Sequence, residues 1–483
     1  MRGHSPTGDP RRWLALALLG TAFSMVILDG TIVYTALPSI ANELGFSTRS
    51  AQWVMSAYLL CFGGLLLLGG RTADLRGRRR VFMTGVGLFV SSSLACGLAW
   101  SGGVLIAARA VQGVSAAIMA PTALSLLMTV FPEGPDRNKA LGIWGGIGGI
   151  GATAGLLIGG PVTEALGWEW VFFINVPVGL AVLVLTPRLL AESIDPNCVR
   201  CFDVAGAVTV TSALLLLVFA ITEAPDAGWA DPRTLGPLAG AGVLLALFVR
   251  IEVRSPGPVV PLRIFRSRSL VGGNLVLLTA GMCIDGMLLI VTLYAQDILG
   301  YSTIQFGLMT AVMTVMSVIG AYGAQAIVTR VGSRVVGALG MALLATACLL
   351  LTRLSFPGSY LADIFLGLLI FGAGLGAAFV ASQIAALEGV AEQESGLAAG
   401  LVDSSFNIGG ALGIAILSAV AVASTDETLT GRDAQLRAIT AGYQTAFAVA
   451  VGLALAGLLV ALLLLGRTSP SAEPADAIGA ASD

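Results

Sequence analysis

The chain has 483 residues, 56% of them hydrophobic and only 11% charged, with a net charge of −2 and a mean hydropathy of +0.90. Soluble globular chains carry about 25% charged residues, so this composition marks a chain that crosses a membrane many times. A single histidine, His4, and a single lysine, Lys139, exclude histidine-based catalysis and His-rich metal sites.

In chain order, residues 1–11 are polar and contain Pro and Gly, which suits a flexible tail. Apolar runs long enough to span follow near 13–37, 50–70, 81–99, 103–126, 139–163, 168–189, 203–222, 234–253, 270–293, 305–328, 335–353, 359–384, 400–423 and 444–466. The first run lacks a small-residue cleavage site and is expected to remain as a span. The expected fold class is therefore an all-α polytopic membrane protein with fourteen transmembrane helices, followed by a polar, disordered tail over 467–483. Cys61, Cys96, Cys283 and Cys348 fall in apolar runs and read as small core residues. Cys198 and Cys201 form an isolated CxxC that lacks the further ligands of a zinc site.

Arginine sets the orientation. Of 26 Lys and Arg residues, 20 fall on the side that holds both tails, and only Arg49, Arg233, Arg353, Arg432 and Arg437 fall opposite. The positive-inside rule then places both termini in the cytoplasm, with the chain multi-pass in the cytoplasmic membrane. The acidic loop Glu388–Glu394 lies on the same side but weighs little in that rule.

The chain also repeats. Leu44-Gly45-Phe46-Ser47-Thr48 recurs as Leu299-Gly300-Tyr301-Ser302-Thr303, and Gly77 matches Gly332, both at an offset of 255. Leu28-Asp29-Gly30 recurs as Ile284-Asp285-Gly286, and each Asp lies 17 positions after the preceding Arg, Arg12 or Arg268. Two parallel halves follow. The expected organisation is a tail over 1–11, a six-helix bundle over 12–190, a linker with two inserted helices over 191–268, a second bundle over 269–466 and a tail over 467–483.

Asp29 lies ~25 Å beyond Arg12 at about 1.5 Å per residue, in or past the bilayer midplane. A charge in hydrocarbon costs at least about 2.5–3.5 kcal/mol, so such a residue faces a wet cavity or carries protons or ions. The plainer reading is a carboxylate satisfied by helix–helix hydrogen bonds. Arg109 reaches the same depth from the fourth helix, and Asp29 is one candidate partner. Burial disfavours the ionised carboxyl while a guanidinium favours it, so a change in their separation would bind and release a proton. The segment Gly70-Arg71-Thr72-Ala73-Asp74-Leu75-Arg76-Gly77-Arg78-Arg79-Arg80 joins helices two and three. There Gly77 permits a tight turn, and Asp74 can pair with arginines or cap a helix.

This segment resembles the loop motif of the major facilitator superfamily, and Arg109, Gln112 and Gly113 resemble its helix-four motif. Leu28–Pro38 and Trp168–Gly179 resemble motifs of its fourteen-helix drug–proton antiporter subfamily. The resemblance implies a major facilitator fold: two six-helix bundles around a central cavity, with two inserted helices. It further implies proton coupling through Asp29 and Arg109, and a cytoplasmic gate of Gly70, Asp74, Gly77, Arg78 and Arg79. Gly151, Gly155, Gly159 and Gly160 match the helix-five antiporter motif, whose prolines are replaced here by Ala152 and Leu156. Glycines spaced by four still allow close helix contact.

The expected function is proton-coupled export of amphipathic, cationic small molecules by alternating access. Tyr34, Gln112, Asp285 and Asp403 are candidates for the substrate cavity, where Asp29 and Asp285 would supply negative charge; for Asp285 and Asp403 a purely structural role stands beside this one. The expected partners are the small-molecule substrate, protons and lipid, with no nucleic acid and no obligate protein partner. The proton gradient would be the energy source, with no cofactor and no metal. Alternatives are a dedicated exporter of one metabolite, antibiotic or lipid, and a non-transporting membrane sensor or scaffold. With no Gly-x-x-x-x-Gly-Lys-Ser/Thr loop, metal cluster or nucleophile constellation, the chain is not expected to be an enzyme.

Overall fold

The structure, a computed structural model, describes residues 11–46, 48–131, 135–193, 203–255, 258, 262–388, 395–425 and 431–466. The tails, the Cys198/Cys201 pair, residues 389–394 of the acidic loop and the side chain of Asp74 lie outside the described residues. All regular structure described is helical. The long helices are α1 (Arg11–Leu44), α2 (Trp53–Arg76), α3 (Arg78–Gly97), α4 (Gly102–Val130), α5 (Pro135–Leu166), α6 (Trp170–Leu189) and α7 (Val204–Ala227). They continue as α8 (Pro232–Arg254), α9 (Arg268–Leu293), α10 (Thr303–Val331), α11 (Ser333–Leu351), α12 (Phe365–Leu387), α13 (Ser395–Ala423) and α14 (Arg432–Leu464). Thirteen of these are long and apolar enough to cross a membrane, and the remaining one, α5, is apolar from Ala154 to Leu166.

Local chemistry sets the ends. Ser101, Asp203, Asp231, Ser267 and Ser302 accept backbone N–H bonds at the starts of α4, α7, α8, α9 and α10, satisfying donors that the first helical turn leaves free. The arginine-rich connection expected over 71–80 shrinks to one residue: α2 runs to Arg76, α3 starts at Arg78, and Gly77 turns between them at φ +102°. Gly332 turns at φ +86° between α10 and α11, and Gly45 and Gly300 share φ values of +66° and +69°. The sequence repeat is thus a repeat of backbone conformation that L side chains rarely adopt. At the other margin, α1 begins at Arg11, inside the stretch read as tail, because Arg12 pairs with Asp136 at 2.7 Å and lies over the Trp13 and Phe131 rings.

Packing repeats in the same way. In the first half α1 packs on α4, α5 and α6, while α4 packs on α2 and α3, and α3 on α6. The second half makes the equivalent pairings: α9 with α12, α13 and α14, α12 with α10 and α11, and α11 with α14. The halves meet along two seams that the repeat makes equivalent, α2 against α13 and α5 against α10. Inserted helix α7 covers only the first seam. Leu214 and Val218 cluster there with Leu60 of α2 and with Ala411 and Ala415 of α13, and Gln52 Nε2 donates to Thr222 Oγ1 at 2.8 Å. Helix α8 packs on α7 and leaves Val243 and Val253 67% and 68% exposed, as a lipid-facing helix would.

A glycine ladder draws α5 onto α1. Gly151 lies against Ser24 and Ile27, Gly155 against Leu28 and Thr31, and Gly159 against Ile32 and Thr35. A Cβ at Gly155 would come 2.8 Å from the Leu28 carbonyl oxygen and 3.0 Å from the Ile32 nitrogen, whereas one at Gly103 would meet nothing within 4 Å. Gly155→Ala is therefore expected to lower stability by about 1–3 kcal/mol, and Gly103→Ala to leave it unchanged or slightly raised. Thermal unfolding of the detergent-solubilised variants checks the contrast.

Candidate functional site

Five helices bring polar groups to one point in an otherwise apolar bundle. Asp29 of α1 and Arg109 of α4 are fully buried, and Arg109 Nη1 donates to Asp29 Oδ2 at 2.5 Å. The same Nη1 donates to Gln112 Oε1 at 2.7 Å, and Arg109 Nε donates to the Val54 carbonyl of α2 at 3.0 Å. The other carboxylate oxygen, Asp29 Oδ1, accepts from Gln112 Nε2 at 2.9 Å and from Asn175 Nδ2 of α6 at 2.8 Å. Gln112 Nε2 also donates to Ser93 Oγ of α3 at 2.8 Å. Beneath the guanidinium lies the Tyr58 ring, 4.2 Å from Arg109 Cζ, with its hydroxyl donating to the Val26 carbonyl at 3.0 Å.

The arrangement suits an ionised carboxylate, because all three groups that meet the Asp29 oxygens are N–H donors. Arg109 Nη2, by contrast, is buried without a hydrogen-bond partner. Asn175 follows Ile174, whose backbone stays helical at φ −57° and ψ −28°, and Pro177 has no N–H to close a bond to the Phe173 carbonyl.

A second polar contact lies a turn and a half further along α1. The Tyr34 hydroxyl donates to Asp285 Oδ1 of α9 at 2.5 Å, and Tyr34 is only 1% exposed. Gln296 Nε2 donates to the Thr35 carbonyl at 3.3 Å, and Thr303 Oγ1 donates to the Gly160 carbonyl at 3.0 Å. All three bonds join the two halves at the end of the bundle opposite the chain termini.

The sequence candidates thus fall into separate groups. Gln112 belongs to the Asp29–Arg109 cluster, whereas Tyr34 and Asp285 form their own pair. Asp403 is half-buried and apart from both, with Oδ1 accepting from Gln383 Nε2 at 3.2 Å. Gly151, Gly155 and Gly159 face α1, while Gly160 faces Thr303 of α10. At the terminus end, Gly70 lies against Pro121 of α4, and the Arg78 nitrogen donates to the Ser193 carbonyl at 3.0 Å. The Arg79 nitrogen donates to Glu192 Oε1 at 3.0 Å, Arg79 Nη1 donates to the Leu190 carbonyl at 3.2 Å, and Arg80 Nε lies 3.6 Å from Glu192 Oε2.

Sequence reasoning passed over Asn175, Ser93, Tyr58 and Glu192. For Asn175 a signal existed: an amide in the apolar run Trp168–Gly179. For Glu192, nothing local to the segment points to the arginines it meets.

The family model described as Major Facilitator Superfamily matches residues 17–197 and 200–414. The chain is 38% identical over 483 residues to the puromycin resistance protein pur8 of Streptomyces alboniger, covering 98% of this chain and 95% of that one. It is 38% identical over 485 residues to the cephamycin export protein CmcT of Amycolatopsis lactamdurans, covering 97% of each. Among solved structures, a bacterial homolog to the human lysosomal transporter Spinster, inward-facing and unoccupied, superposes with a TM-score of 0.67 at 15% identity, covering 95% of this chain and 97% of that one.

Removing one partner of a buried ion pair leaves the other charge uncompensated. Arg109→Gln is expected to cost about 3–5 kcal/mol of stability. Adding Asp29→Asn should recover a large part of that loss, as read from thermal unfolding of the two single variants and the double variant.

Proposed function

The chain belongs to the major facilitator superfamily, a multi-pass membrane transporter rather than an enzyme, and from that premise we propose that it exports amphipathic, cationic small molecules in exchange for protons. The observation that carries this reading is the fully buried Asp29 held by Arg109, Gln112 and Asn175. A carboxylate so enclosed changes its partners when it takes a proton: Arg109 loses its counter-charge, and the two amides lose the acceptor that orients them. Asp29 thereby links proton occupancy to the packing of α1 against α4 and α6.

In this reading both termini face the cytoplasm, and cargo enters from that side between the halves. A proton then reaches Asp29 from the far side while the far end is open, and leaves to the cytoplasm after the halves have rocked. No cofactor takes part. The latch of the cytoplasm-open and cytoplasm-closed states is the Gly77 turn with Asp74, Arg78 and Arg79, supported by the bonds that tie Arg78 and Arg79 to residues 190–193. The proton gradient supplies the energy, and cargo and proton compete through their opposite preferences for the two states.

A second reading, a dedicated exporter of one antibiotic, is favoured by two relatives whose names each carry a single compound, puromycin or cephamycin; another relative, from Mycobacterium tuberculosis, is named a multidrug resistance protein. The two readings share the coupling chemistry and differ in breadth.

Everted membrane vesicles with an acidified lumen test both. Addition of a cargo such as ethidium, tetraphenylphosphonium or puromycin is expected to raise lumenal pH, and Asp29→Asn to abolish that rise at equal membrane insertion. An unaltered response in Asp29→Asn removes Asp29 from the mechanism. A response to one compound alone selects the dedicated exporter.

A further inference from the structure

The two halves carry intramembrane carboxylates at matching positions, yet they neutralise them differently. Asp29 has a guanidinium and two amides. Asp285, its counterpart at an offset of 256, accepts from one neutral donor, the Tyr34 hydroxyl, which arrives from the opposite half. The positions that correspond to Arg109 at offsets of 255 and 256 are apolar, Ile364 and Phe365. More broadly, Phe365–Leu387 carries no charged residue, the one charge in Ser395–Ala423 is Asp403, and the cations of α9, α10, α11 and α14 sit at helix ends, in Arg268, Arg330, Arg334, Arg432 and Arg437. The interior of the second half therefore has a carboxylate and no cation of its own to answer it.

Its surroundings bear this out. From α1 come Tyr34 and, a turn and a half earlier, Asp29, whose charge Arg109 already answers. From α13 comes the bare backbone of Gly410, so close that a Cβ there would collide with Asp285 Oδ2, and two turns nearer the termini comes Asp403. Leu59 of α2 closes the side beside Gly410. A carboxylate in hydrocarbon without a cation is costly; a proton relieves that cost, and so does a cationic group brought from outside the protein.

We propose that Asp285 is the seat for a cationic group of the cargo, that Tyr34 is the group the cation displaces, and that cargo binding thereby opens a bond between the halves. The proposal rests on the export reading above and names the cargo feature it selects: one positive nitrogen or phosphonium flanked by apolar rings. Once displaced from Asp285, the Tyr34 ring stays beside the seat, where it can offer such a cation its π face. Displacement has a mechanical consequence because Tyr34–Asp285 is the deepest of the three far-end bonds, with Thr35–Gln296 adjoining it and Gly160–Thr303 beyond. A cation that takes Asp285 removes the first and loosens its neighbour. Arrival of cargo from the terminus end thus weakens the closure at the far end, which is the order that outward export requires.

Two measurements on the purified full-length protein test this. The first is equilibrium binding of radiolabelled tetraphenylphosphonium, with uncharged chloramphenicol as control. Asp285→Asn is expected to weaken tetraphenylphosphonium by at least about thirtyfold and to leave chloramphenicol binding unaltered, while Asp285→Glu, which keeps the charge, retains most of the cation affinity. Equal weakening of both compounds, tetraphenylphosphonium affinity unaltered in Asp285→Asn, or a Glu variant as weak as the Asn variant overturns the proposal. The second is the distance between spin labels on Asn42→Cys and Ile304→Cys, with Cys198 and Cys201 replaced by Ser. Tetraphenylphosphonium is expected to lengthen it, and Tyr34→Phe to lengthen it without cation; no change with either overturns the displacement step. Neither readout involves protons. Asp285-dependent cation binding without proton release in vesicles would sink only the antiport reading, and proton release with Asp285-independent binding would sink only the seat.

Discussion

Burying a guanidinium and a carboxylate together, away from water, forces each neighbouring polar group into a defined place. Arg109 and Asp29 exact this from five helices. Asp29 Oδ1 takes amide donors from α4 and α6, Arg109 Nε takes a carbonyl from α2, and Ser93 of α3 accepts from the glutamine that bridges the pair. Close backbone approach makes this reach possible. Gly113, one turn past Arg109, lies against Tyr58 and Cys61, where a Cβ would come within 3.0 Å of Cys61 Cβ. Helix α4 thus sits deep in the groove of α2, and the guanidinium meets both the Val54 carbonyl and the Tyr58 face. On the other side of α1, Gly151, Gly155 and Gly159 do the same for α5.

The architecture repeats and the chemistry does not. Equivalent helices pair in both halves, the halves meet along two equivalent seams, and the two positive-φ turns at Gly77 and Gly332 occupy equivalent places. Against that background the asymmetries stand out. The first half holds a closed ion pair; the second holds a carboxylate reached only across the seam by Tyr34. The Gly77 turn is followed by three consecutive arginines gathered on Glu192 and the end of α6, whereas Gly332 is flanked by Arg330 and Arg334 alone. One seam is covered by α7 and the other is not.

Such asymmetry suits a machine that must treat two solutes differently on one path. A carboxylate already matched by an internal cation is a poor seat for a second cation, and in the proposed exchange the proton that it does take sets free a partner that can act elsewhere. A carboxylate with only a hydroxyl for company keeps room for a cation from outside. Asp29 and Tyr34, the residue that reaches Asp285 of α9, lie a turn and a half apart on α1, so a shift of that one helix would be felt at both carboxylates.

The sequence alone determined the membrane-spanning class, the number of helices, the two-fold repeat and the depth at which Asp29 and Arg109 meet. The repeat follows from matching segments 255 positions apart, and the others from patterns local to a segment: hydrophobic length and the spacing from a flanking arginine to a buried charge. What the tertiary structure decided is which polar groups are partners. Gln112, read as a cavity residue, joins the ion pair because one helical turn carries it to the same face as Arg109. Asn175 joins because the packing of α6 on α1 brings it beside Asp29, and Glu192 meets Arg79 and Arg80 from 112 to 113 positions along the chain. Tyr34 finds Asp285 across 251 positions. Hydrogen bonds depend on the rotation of each helix about its axis and on its approach to a neighbour, and a uniformly apolar helix of this kind carries little amphipathic signal to fix that rotation in advance. Packing fixes it, through the glycines that let one backbone settle against another.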